Sequence, residues 1–522
     1  MLMEKMKSVF KNNMATFFVL FSLMLIIFVM TSDGHRYTSD EDWAQLQAKR
    51  IATLTPHPLW VENETRPLYE HPQIYPPQFQ TGEICNNFLL CSPATIGHSL
   101  TEVPFLLINE NFNIIKEDTV TWTFDDFKDG HYIMWRNSAE PNFTFLEIFY
   151  GPIFSAFAVS LFFLICRTFD YNNKISLSLA LIFALSTTVW AYSQTSLNIM
   201  PVTSFVLLSY LLFRKFEKTN RIKFLIFSGV IAGFGFLVRL DMILFIIPVF
   251  VYLLIFTIKR KFQVKHFFSY VSAVFPFYII QQEIHRINYK TNTTAQLEGV
   301  SSTMSLVRHV NLEWVYGLLF SPGVGLFVFS PILLTAFVSF CDFYNKNKSS
   351  TILFISIAFT YIIYYGSFLH WHGLVSWGSR YLVEIMPFLL IPLGASFQKR
   401  RSSVFKIFII LLLIMGFVAN LSFITQDVSW FVWGRPGYEL GLYGLGTSQT
   451  ALYIHEATKW SFEYSQLTHS IMSMVQAIQP DIYSLKILGL TNYVVLFSIL
   501  SIPHLFYLYK LIKIEKNIIN KK

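Results

Sequence analysis

Three consecutive carboxylates, Asp40, Glu41 and Asp42, follow closely on the first apolar stretch of the chain. Carboxylates held where a membrane helix leaves the bilayer can reach a substrate whose lipid tail stays in the membrane. Within hydrogen-bond distance of a hydroxyl, such a group acts as a general base. The plainer reading is a capped helix start: Ser39 can cap the free N–H groups, and acidic side chains favour the positive end of the helix dipole.

A second group of polar residues stands in His370-Trp371-His372-Gly373 and, after it, Arg380-Tyr381 and Glu384. A guanidinium at the depth of a lipid phosphate binds it through two parallel hydrogen bonds and stabilises the charge of a departing phosphate. An arginine resting among the aromatic side chains of the membrane surface would look the same in sequence. Glu384 lies about one helical turn beyond Arg380, which makes it the expected partner of that arginine. His370 and His372 suit either plain hydrogen bonding or, together with the acidic stretch, a divalent cation. Arg239 and Asp241 are charges at the edge of a span, expected as a structural pair or as part of the same cavity wall. The stretch Thr188 to Asn198 puts further polar side chains at a span end, half packing and half wall.

These residues need elements to hold them, and the composition says which. Hydrophobic residues make up 53% of the 522 and charged residues only 14%, whereas soluble domains run nearer a quarter charged. Apolar windows of roughly 18 to 25 residues recur, each long enough to cross a ~30 Å hydrocarbon core. The chain therefore reads as an all-α polytopic membrane protein of about 12 transmembrane helices with a long first extracytoplasmic loop.

Residues 1–31 form a cytoplasmic tail and a first span, a retained signal anchor with no clear cleavage site. Residues 32–145 are an extracytoplasmic loop that opens on the acidic stretch, and 146–424 are the transmembrane core. A further loop covers 425–487, and 488–522 give a last span and a basic tail. Within the core, spans are expected near 146–166, 176–193, 197–213, 222–239, 242–258, 266–282, 351–368, 381–397 and 404–424. Between Gly317 and Pro331 the density of Pro and Gly predicts a kinked or re-entrant segment. Trp43, Leu46 and Ile51 continue the acidic stretch as an apolar helical face.

The formal charge of +8 does not suggest nucleic acid, because the basic residues cluster between spans as cytoplasmic loops do. Both termini are then cytoplasmic and the chemistry extracytoplasmic, at the cell membrane. Cys85 and Cys91 share the first loop and could pair in an oxidising compartment.

In order along the chain, several stretches resemble the GT-C glycosyltransferases. Asp40-Glu41 with Trp43 is similar to the Asp-Glu start of their first outer loop. Ala184 to Ser193, Leu237-Val-Arg239, Ser321 to Pro331 and Trp377-Gly-Ser-Arg380-Tyr381 resemble stretches of the RgtA/B/C/D-like transferases, with protein O-mannosyltransferases and the lipid A aminoarabinose transferase as more distant relatives. Leu240 stands where that pattern has proline. The last hundred residues match no stretch of it, and the Trp-Trp-Asp signature of oligosaccharyltransferases is missing.

The resemblance implies an inverting transfer of a sugar from a polyprenyl-phosphate donor to a lipid, glycan or protein acceptor, in contact with membrane lipids. It implies Asp40 as general base and Glu41 or Asp42 as a holder of acceptor or bound cation. Arg380, with Arg239, would bind the donor phosphate, and Asp241, His370, His372 and Tyr381 would line the same site. No metal ligand set is assigned. A lipid or polysaccharide transporter is the second reading and a non-catalytic scaffold of the same fold the third. Transporters keep coupling carboxylates near the bilayer midplane in broken helices; here the charges sit at the rim.

Overall fold

Apolar side chains run almost without interruption from Met14 to Met30, and in the computed structural model they belong to α1, Leu2–Met30. The structure describes residues 2–35, 39–53, 60–61, 83–84, 90–91, 95–114, 122–124, 134–136, 145–289, 309–373, 376–399, 402–426, 458–476 and 480–520. Cys85 lies outside them, as does the side chain of Cys91, so the expected pairing falls outside the description.

The acidic stretch opens α2, Ser39–Ala52, and α3 follows at Ile96–Phe112. Next come α4, Phe145–Thr168; α5, Asn173–Leu185; a single turn α6, Val189–Tyr192; and α7, Ile199–Thr219. Helix α8, Ile222–Val238, leads through a 3-10 turn into α9, Ile243–Ile258, and then α10, Val264–Tyr289. The Pro/Gly-rich stretch breaks as its composition demands, into α11, Leu312–Phe320, α12, Leu326–Phe329, a 3-10 turn from Pro331, and α13, Ala336–Tyr344. Helix α14 spans Lys348–Tyr365. A 3-10 turn, Arg380–Ile385, then runs into α15, Met386–Leu390, and α16, Leu393–Gln398. The chain ends with α17, Ser403–Ile424, α18, Gln466–Gln476, and α19, Tyr483–Asn520. The first loop adds short antiparallel strand pairs, such as Trp122–Phe124 with Met134–Arg136.

Eight helical segments among the described residues are long and apolar enough to cross a bilayer, and α5, α8 and Pro331–Tyr344 are shorter apolar ones. The expected span near 266–282 lies in α10. Phe227, Ile247, Ile407, Ile414 and Ile499 point outward from these helices. Large apolar side chains exposed in that number make a surface fit for lipid rather than water. Close helix approach relies on small residues: a Cβ on Gly229 would lie 2.7 Å from that of Ala273 in α10, and one on Gly233 would meet the Phe277 ring.

The helices alternate in direction, so their connections collect at two ends. At one end Arg167 of α4 binds Glu515 of α19 at 2.7 Å and Lys399 binds Asp342 at 2.9 Å. Lysine and arginine predominate there (Arg214, Lys215, Lys218, Lys223, Lys259, Lys261, Lys265, Lys406). The opposite end gathers the start of α2, the 186–198 connection, Arg239, the 366–385 segment, 458–466 and the start of α19.

Candidate functional site

The start of α2 is fixed by a buried polar network. Glu41 is fully buried, and its Oε1 accepts the Ser196 backbone N–H at 3.0 Å. The Ser196 hydroxyl in turn donates to Glu147 Oε1 at 3.0 Å, and the Ser196 carbonyl lies 2.8 Å from His98 Nε2. Ser99 of α3 donates to Gln47 of α2 at 2.7 Å, and Tyr150 and Thr101 share a hydrogen bond of the same length. Helix α3 reaches this position because Gly97 lies against the end of α8: a Cβ there would sit 2.4 Å from the Leu237 carbonyl carbon. Burying so many polar atoms is tolerable only when they satisfy one another. The side chains of Asp40 and Asp42 lie outside the described residues.

The turn before α2 is latched to the last helix. His35 Nε2 lies 2.9 Å from Asp481 Oδ2 and 4.0 Å from Asp33 Oδ2, while Lys486 also holds Asp481. Burial opposes ionisation of Asp481, but hydrogen bonds and charge from His35 and Lys486 outweigh it and hold its carboxyl below the usual value. Tyr483 N–H donates to the Ser32 carbonyl at 2.8 Å, so α1 and α19 meet here.

A second cluster surrounds Arg239, the residue that ends α8 in an extended conformation. Its Nε lies 3.0 Å from Asp241 Oδ2 and its Nη1 2.7 Å from Glu384 Oε1. Tyr365 donates to Asp241, and its ring stacks on Tyr381 at 4.1 Å between centroids. Glu384, expected beside Arg380, is thus the partner of Arg239. The 3-10 geometry of 380–385 turns it away from the one-turn pairing an α-helix would give. Arg239 and Asp241 are paired, as one of the two expectations had it.

Arg380 begins that 3-10 turn, half-buried, with its guanidinium 5.1 Å from the Tyr381 ring centre. Gly373 makes room for it: φ is +76°, and a Cβ would lie 3.0 Å from Arg380 Cγ. His370 and His372 meet edge to face at 6.1 Å between ring centres. Burial, then the charges of Lys459 and Arg380, push the His370 imidazole below its ordinary pKa, so it is neutral at pH 7. Among the described residues no group of three or more His, Cys, Asp or Glu is placed to hold a metal ion.

Lys459 escaped the sequence reading. It is only 6% exposed, with its Nζ 5.7 Å over Trp371. Its carbonyl accepts from Gly323 N–H at 3.1 Å and from the Ser321 hydroxyl. Gln466 ties the same segment to the Gly323 and Ser376 carbonyls at 2.8 and 2.7 Å. A lone lysine in an unmatched loop gives no periodic signal, so only tertiary structure shows where it goes.

One short connection joins the acidic side to the basic side. From Thr188 to Asn198 the chain holds Glu41 through Ser196, and Gln194 Oε1 accepts the Asp33 N–H at 3.2 Å. On the other flank Tyr192 donates to the Trp377 carbonyl at 3.0 Å and Thr188 N–H to the Ser330 hydroxyl at 3.2 Å. The expected wall is therefore the bracket between the two polar groups.

Fold and site define a multi-pass helical membrane protein with its buried polar and charged clusters concentrated at one end. Residues 148–281, about a quarter of the chain, match the family model described as dolichyl-phosphate-mannose-protein mannosyltransferase. The matched part contains the 188–198 bracket and Arg239. No curated protein matches the chain. Among solved structures, that of ArnT from Cupriavidus metallidurans bound to undecaprenyl phosphate is similar with a TM-score of 0.43 and 9% identity, over 88% of this chain and 78% of that one.

Proposed function

We propose that the chain is a membrane glycosyltransferase that moves a sugar from a polyprenyl-phosphate donor to an acceptor hydroxyl at the end where Arg380 and α2 meet the 188–198 bracket. That bracket carries the proposal: it holds a helix start rich in carboxylates on one side and a corner with Arg380 and Lys459 on the other. The family match over 148–281 supports the same reading.

In the reaction Asp40 takes the proton of the acceptor hydroxyl, whose oxygen attacks the anomeric carbon from the face opposite the phosphate. The bond between that carbon and the phosphate oxygen breaks, its electron pair leaves with the polyprenyl phosphate, and configuration inverts. Arg380 and Lys459 take up the charge that grows on the leaving phosphate. Arg239, with Asp241 and Glu384 both on its guanidinium, orients the Tyr365–Tyr381 pair instead of holding phosphate. Glu41 holds the helix start. Lysine and arginine at the opposite end support a reading with that end in the cytoplasm and the chemistry outside.

The test is release of radiolabelled sugar from polyprenyl-phosphate sugars by purified protein. Asp40→Asn should abolish turnover and keep donor binding, whereas Arg380→Ala and Lys459→Ala should each weaken donor binding about tenfold or more. Wild-type turnover in Asp40→Asn removes the base assignment. Absence of binding to any such donor returns the protein to the transporter reading.

A further inference from the structure

The end of the molecule opposite this site carries a cleft of about 460 Å³ that the proposed chemistry leaves unused. Three turns far apart in sequence build it: Arg214, Glu217 and Lys218 from the end of α7, Lys261 from the α9–α10 turn, and Asn345 to Ser350 from the α13–α14 turn. Five cationic side chains, Arg214, Lys218, Lys261, Lys346 and Lys348, face a single carboxylate, Glu217. That carboxylate is already engaged, 2.5 Å from Arg214 and hydrogen-bonded by Tyr252. Among the described residues the ion-pair partner of Lys218 is the exposed Asp170 at 3.8 Å. Among the described residues Lys261, Lys346 and Lys348 form no ion pair with a carboxylate. Cations gathered in one cleft repel each other, and an anion placed among them removes that cost.

The surroundings say what kind of anion. Tyr344, 43% exposed, lies under Lys348 with its ring centre 5.7 Å from the Nζ. Ile258, 71% exposed, closes α9 three residues before Lys261. The cleft thus adjoins apolar side chains on helices whose outer faces suit lipid. Asn345, Asn347, Ser349 and Ser350 supply neutral donors in the same wall.

We propose that this cleft binds the phosphate headgroup of an anionic lipid from the leaflet at the basic end, with the acyl chains lying against Tyr344 and Ile258. Phosphate recognition is the shared chemistry; the apolar rim selects a lipid over free phosphate. The proposal stands whether or not the opposite site transfers sugar.

The experiment follows the melting temperature of the full-length protein in neutral detergent during titration with phosphatidic acid, phosphatidylcholine or inorganic phosphate. Phosphatidic acid should protect at concentrations at least tenfold lower than inorganic phosphate, and phosphatidylcholine should not protect. Protection should need at least tenfold more phosphatidic acid in Lys261→Ala/Lys346→Ala/Lys348→Ala, and persist when the three are arginine. It should also persist in Lys223→Ala/Lys406→Ala/Lys510→Ala, which removes the same charge from exposed positions on the same end. Equal losses in the two alanine triples would reduce the effect to the general positive field and overturn the site. Protection by inorganic phosphate as potent as by the lipid would overturn the lipid assignment, and no protection by either would overturn both.

Discussion

Replacing Glu41 by glutamine and by alanine separates a positioning role from a chemical one. Its carboxylate is fully buried and accepts the Ser196 N–H at 3.0 Å. A backbone donor on a charged acceptor contributes roughly 1.5–3 kcal/mol, and on a neutral one roughly 0.5–1.5 kcal/mol. Glutamine keeps an acceptor of the same shape, so Glu41→Gln should lose about 1 kcal/mol, at most about fivefold in rate if all of it reaches the transition state. Glu41→Ala leaves a buried N–H without its acceptor, at a cost of about 1–3 kcal/mol. It also frees the helix start, so turnover should fall between tenfold and about a hundredfold, with a lower melting temperature. Removing a true general base costs about 10²–10⁴ in rate. The assay is kcat/KM for sugar transfer across Glu41→Gln, Glu41→Ala and Asp40→Asn, with thermal melting of each. The reasoning fails if Glu41→Gln melts like the wild type and is as inactive as Asp40→Asn, because the lost property would then be the titrating carboxyl itself.

Two other expectations follow from the buried pairs. Glu384→Ala leaves Arg239 with Asp241 as its remaining carboxylate, so the cost should fall short of the 3–5 kcal/mol of a stranded charge, at about 2 kcal/mol. Adding Arg239→Met and Asp241→Asn should recover part of that loss in a melting series. For Asp481 the sign is set by a folded pKa held below the ordinary carboxyl value. Its stabilisation is complete above the unfolded pKa of about 4 and is lost as pH falls through the lower folded value. The melting-temperature difference between wild type and Asp481→Asn should therefore have its full size at about pH 5.5 and should shrink on acidification below about pH 4.

Much of the architecture was legible because bilayer physics leaves strong marks. Uninterrupted apolar runs gave α4, α9 and α17 almost to their ends, α7 runs six residues past its expected end at 213, and Pro322, Gly323, Gly325 and Pro331 announced the broken segment between α11 and α13. Polar residues at the span ends were found too, since Arg239, Asp241 and Arg380 are rare charges at apolar borders. What could not be read was who pairs with whom. Glu384 is 145 residues from Arg239, and only the 3-10 twist of 380–385 turns it from Arg380 toward that partner. Lys459 and Asp481 carry no local signal at all. Their place comes from contacts with 321–323 and with His35, made across more than a hundred residues of intervening chain.

The hydrogen bonds of the 188–198 bracket bear on how the two polar groups are held. A carboxylate in contact with a guanidinium takes up part of its charge and loses its own basicity, since an opposite charge within a few ångströms lowers a carboxyl pKa. Arg239 illustrates that outcome: with Asp241 and Glu384 on it, it is spoken for. The bracket fixes both flanks through its own atoms, Ser196 and Gln194 to the α2 side and Tyr192 and Thr188 to the 330–377 side. In the proposed reaction this connection, bound on both faces, is what would hold the acidic flank and the Arg380 flank in register. Loosening it at Tyr192 should impair transfer with the carboxylates and Arg380 all present.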